Sequence, residues 1–90
     1  MLLMTTTPAI EGRSVKTYLG IVSGDSAAEF DWSAGKGEQV GHDARWRAME
    51  QMSARAQKLG ASAIVGVAFN LEAVGPERTL VTVTGTAVVL

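Results

Sequence analysis

Apolar and polar positions alternate in several stretches of the chain and recur every three or four residues in one other; that change of period marks the elements. Leu3 to Thr7 is rich in β-branched residues and stops at Pro8, which cannot donate to a ladder, so a short edge strand is expected. Turn residues fill Pro8 to Gly12. After them Val15, Thr17, Leu19 and Ile21 alternate with Lys16, Tyr18, Gly20 and Val22, which predicts a long strand over Ser14 to Ser23. From Gly24 to Gly41 the chain shifts to Gly, Ala, Ser and acids, with Phe30 and Trp32 as its large apolar residues, and an irregular connection is predicted, the longest loop of the protein.

The helix signal follows. Trp46, Met49, Met52, Ala56 and Leu59 recur at helical spacing with polar residues between them, so Trp46 is expected in the core with Met49 and Met52 filling gaps beside it. Asp43 is the expected N-cap, Lys58 suits the negative end of the helix dipole, and Gly60 supplies the left-handed stop. Ser62 to Leu71 and Thr79 to Val89 then read as strands joined through Gly75-Pro76. The order is β-β-α-β-β, an α+β domain with one helix on a mainly antiparallel sheet.

The strand from Ser62 is apolar on both sides. One face shows Ala63, Val65, Val67, Phe69 and Leu71, the other Ile64, Gly66 and Ala68. A helix about 10 Å across covers about two strands spaced roughly 4.8 Å apart, so half of one face and all of the other are left to find cover. Neighbouring copies of the chain are the expected cover, with Ile64, Gly66 and Ala68 at the contact.

Composition sharpens this expectation. Ninety residues make one domain, residues 1–90, at a size where a single core is marginal. Apolar residues are 47% and charged residues 19%, so much apolar surface needs burial. The net charge of -1, without long runs of one sign, gives no footprint for nucleic acid or an anionic membrane. No cysteine is present, which excludes disulfides and thiolate metal sites. The opening Met-Leu-Leu-Met is short and uncharged for a signal peptide and nothing approaches a membrane span, so a cytoplasmic location is expected.

Four segments occur in order: "TTTPAIEG", "YLGIVSG", "KLGASAIVGV" and "VTVTGTAVVL". Together they resemble the YbjQ family, also called UPF0145, which is labelled heavy-metal-binding. The most specific pieces are Leu59 to Gly66, at the helix stop and strand start, and Gly85-Thr86-Ala87-Val88. The resemblance implies a dodecin-like α+β subunit in a ring-shaped homopentamer, with no established activity. The chain departs from the family pattern in the middle, where "SAAEFDWSAGKGEQVGHDARW" replaces a longer insertion.

The heavy-metal label meets a poor supply of ligands. A tight zinc or copper site wants three or four nitrogen or sulfur donors, and the chain has one histidine, His42. A site is conceivable only if copies around a symmetry axis bring His42 together with Asp43 or Asp31; a solvated helix entrance is the simpler reading of His42 and Asp43. No cofactor is expected. Ser23, Ser26 and Ser33 near Asp25, Asp31 and His42 make no triad by proximity alone, and Gly35-Lys36-Gly37 lacks the spacing of a phosphate loop. Catalysis is therefore not expected.

Phe30 and Trp32 either pin their loop to the domain or face a partner, and are candidates for a small ligand. Thr82, Thr84 and Thr86 share one face of the last strand, where hydroxyls could line a polar channel in a ring, although β-propensity explains them more simply. Three classes stay open: an oligomeric binding or scaffold protein first, a weak carrier of metal or a small ligand at subunit junctions second, and an enzyme of unrecognised type last.

Overall fold

A computed structural model describes residues 1–29, 37–75 and 78–90, with the side chains of residues 28, 29, 37–42 and 74 left aside. Strands β1 (Leu3–Met4) and β2 (Thr17–Glu29), helix α1 (Gly37–Lys58), and strands β3 (Ala63–Gly75) and β4 (Arg78–Val89) follow in the expected order. They form one mixed sheet ordered β1-β3-β4-β2, parallel between β1 and β3 and antiparallel elsewhere. The chain is α+β with a single sheet, and β1 is a short edge strand as expected, although it ends at Met4 and not at Pro8.

Between Gly24 and Gly41 the sequence expectation needs correction. Strand β2 begins at Thr17 and continues to Glu29, and α1 already starts at Gly37. Gly24 is not a breaker but the point where the helix lies on the sheet: a Cβ there would stand 2.0 Å from the Ala48 carbonyl oxygen. So close an approach also selects the buried helix face. Ala44, Ala48, Met52 and Ala56 recur every fourth residue and are fully buried, whereas Trp46 is 49% exposed and Leu59 is 51% exposed. Trp46 and Leu59 are thus not core residues: the contact at Gly24 turns the Ala44, Ala48, Met52 and Ala56 stripe to the sheet and leaves Trp46 off it, and Leu59 lies past the helix end. Asp43 lies inside the helix, exposed, and is not its N-cap.

The helix ends as expected. Gly60 takes φ 87°, its N–H donates to the Gln57 carbonyl at 3.0 Å, and the Ala61 N–H reaches back to the Ala56 carbonyl at 3.1 Å. This pair of bonds is a Schellman motif. Arg55 and Lys58 occupy the last turn.

Strand β3 does not keep simple alternation. Its register with β4 shifts between Val65 and Ala68, and Gly66 sits in the bulge at φ 62°, a left-handed conformation that only glycine adopts freely. The extra residue puts Ile64 and Val67 on the same side, in the cluster with Ala48, Met52, Val81 and Val83 under α1. Ile64 is 0% exposed within one subunit and presses against the space left by Gly85. The placing of Ile64 on the uncovered face is therefore wrong; one bulge exchanges the faces.

Helix α1 packs mainly on β2 and next on β4, and scarcely touches β3, as the width argument requires of one helix. The opposite face is not wholly bare. Ala63, Val65 and Val88 form a second cluster covered by Ile10, Val15 and Leu90. The N-terminal segment is stitched on by Thr5 N–H to the Ile64 carbonyl, Gly66 N–H to the Thr7 carbonyl and Leu2 N–H to Ser53 Oγ, at 3.0, 2.8 and 2.9 Å.

Candidate functional site

Away from the helix and beyond the reach of the N-terminal segment, the sheet presents a polar surface built by register. Thr82 stands opposite Asn70 on one side and Asp25 on the other; Thr84 stands between Ala68 and Ser23; Thr86 lies between Val65 and Ile21. Directly opposed residues in antiparallel strands have Cβ atoms about 5 Å apart, so each row forms a continuous strip of side chains. Alternation carries the three threonines to one face, and the longer course of β2 supplies the companions. Thr82 and Thr86 are half-buried, while Thr84, Asp25 and Asn70 are exposed.

Chemically this surface offers hydroxyls, one amide and one carboxylate. It suits hydrogen bonding to a polar ligand. Among the described residues no group of three His, Cys, Asp or Glu could hold a metal ion. The candidates Phe30, Asp31 and Trp32 lie outside the described residues, and His42 is placed on the first turns of α1 without a described side chain. Asp43, on α1, and the threonine strip, on the far side of the sheet, are therefore not brought together. Of the interface candidates, Gly66 and Ala68 are exposed and Ile64 is not.

Four large side chains were missed as surface features. On the face away from the helix Tyr18 is 68% exposed and Ile21 is 84% exposed; on the helix side of β3, which the helix scarcely touches, Phe69 is 42% and Leu71 is 56% exposed. The alternation of β2 carries a signal for Ile21, since it falls on the side opposite Val22 and Gly24. Alternation already puts Phe69 and Leu71 on the helix face of β3; their exposure follows from how little of that strand the helix touches.

The comparisons with known proteins agree with this architecture. A family model described as "Putative heavy-metal-binding", YbjQ_1, matches residues 33–90. A UPF0145 protein of Clostridium botulinum strain Eklund 17B is 37% identical over 105 residues, with 97% of each chain covered. A second, from strain Alaska E43, is 38% identical over the same span and coverage. Those alignments run longer than this chain's 90 residues, so the relatives carry positions that it lacks. A crystal structure of a protein of unknown function, of the DUF74 family from Pediococcus pentosaceus, superposes with a TM-score of 0.74 over 99% of this chain and 97% of its own, at 20% identity; it shows the same fold. No helix among the described residues is long and apolar enough to cross a membrane. From its matching family model and from relatives that align along almost its whole length, the chain belongs to the YbjQ, or UPF0145, family.

Proposed function

We propose that this chain is one subunit of a closed homo-oligomer, a pentamer by the family resemblance, that serves as a cytoplasmic binding or scaffold protein and has no catalysis of its own. The observation that carries the reading is the exposure of Tyr18, Ile21, Phe69 and Leu71 on two faces of a 90-residue chain. Isolated exposed apolar side chains are ordinary, but neighbouring pairs on long strands mark surfaces that another chain covers. The shape supports it: the radius of gyration is 14.6 Å, against about 12 Å for a compact domain of this length.

Light scattering coupled to size exclusion tests the proposal. A single species near five times the 9.4 kDa chain mass is expected. A monodisperse 9.4 kDa species at micromolar concentration overturns it.

A second reading, a polar ligand or a metal ion bound weakly at subunit junctions, is favoured by the strip of Thr82, Thr84, Asn70, Ser23 and Asp25 and by the family description. Titration calorimetry with Zn²⁺ and Cu²⁺ separates the two. Binding that disappears when the oligomer is dissociated supports the junction site, and no heat at millimolar metal removes it.

A further inference from the structure

Strand β2 is an outer strand of the sheet, so one side of its backbone has no strand beside it. Such an edge is a template for pairing with another chain. Here it is occupied by side chains of the helix. The Ser23 carbonyl accepts from Arg55 Nη1 at 2.8 Å, the Asp25 N–H donates to Gln51 Oε1 at 2.8 Å, and Ser26 Oγ accepts from Arg47 Nε at 3.2 Å. Arg47, Gln51 and Arg55 are spaced four residues apart, one row along α1, and the helix is held against β2 by the contact at Gly24. All three side chains are exposed, so these bonds add little to stability. Two of them occupy outward main-chain groups at mid-strand, the Ser23 carbonyl and the Asp25 N–H, and the third holds Arg47 beside them.

We infer that the row Arg47, Gln51 and Arg55 is an edge guard, which keeps the outer edge of β2 from adding a strand of a second copy of this chain. A guanidinium and a carboxamide suit the task. Gln51 offers the acceptor that the Asp25 N–H needs, Arg55 offers the donor that the Ser23 carbonyl needs, and the two charges add repulsion against a second guarded edge. Whatever contacts build an oligomer, this stretch of β2 is withheld from them.

The test is the double variant Gln51→Leu with Arg55→Met, which keeps the bulk of both side chains and removes their hydrogen bonds. It is followed by light scattering across a hundredfold range of concentration and by circular dichroism to show that it is folded. The mass is expected to rise at least twofold above that of the parent protein as concentration increases. Adding Asp25→Pro, which deletes the outward N–H, should return the mass to the parent value. A folded double variant with the parent mass throughout overturns the inference, and so does association that survives Asp25→Pro, since it then uses another surface. If the double variant does not fold, the single variant Gln51→Leu is read by the same two criteria.

Discussion

Two glycines separate two kinds of residue-scale constraint. At Gly24 the difficulty is space: a methyl group would meet the Ala48 carbonyl oxygen at 2.0 Å. Gly24→Ala must lift the helix from the sheet, and a loss of about 3 kcal/mol is expected, in the range of overpacked cores. At Gly66 nothing lies within 4 Å of an added Cβ and only the φ of 62° opposes it. Gly66→Ala should cost about 1 kcal/mol, the strain of a left-handed residue. Urea unfolding of both variants checks the order; an equal or greater loss at Gly66 would contradict the close approach of α1 to β2. Ser53 gives a smaller expectation. It is 3% exposed and its hydroxyl accepts the Leu2 N–H, so Ser53→Ala should cost about 1 kcal/mol by loosening the N-terminal strand, which amide exchange of Leu2 and Thr5 would register.

At the scale of elements, the bulge in β3 decides where a charge can be tolerated. Ile64 is buried under α1, so Ile64→Lys is expected to unfold the subunit rather than release it from an assembly, as an unpaired buried charge does. Ile21, 84% exposed on the other face, is the informative position. Ile21→Lys should leave the far-ultraviolet circular dichroism of the subunit intact while lowering the mass of the oligomer. A variant that keeps both its mass and its melting temperature would place the subunit contact away from Tyr18 and Ile21.

For the whole molecule, the absence of cysteine and the presence of one histidine predict that metal does not hold the fold together. A structural zinc ion contributes on the order of 10 kcal/mol to folding, so its removal would be unmistakable. Dialysis against a chelator should leave the melting temperature unchanged, and a fall of tens of degrees would refute the prediction. The same scale shows what was legible beforehand. Element order, the helix stop at Gly60, the β3–β4 hairpin and the edge position of β1 follow from period, caps and proline chemistry, all of which act between residues close in the chain. The threonine strip followed too, because alternation in β4 is regular there.

What the sequence by itself determined is therefore local: which segments are strands, which is the helix and where the helix stops. Tertiary structure decided the rest. Gly24 reads as a loop residue until a helix is known to touch it, and Trp46 reads as core until that contact is known to turn Ala44, Ala48, Met52 and Ala56 to the sheet. Ile64 reads as surface until the bulge at Gly66 turns it inward. Each of these depends on what a distant element places beside the residue, and the pattern along the chain contains no term for that distance.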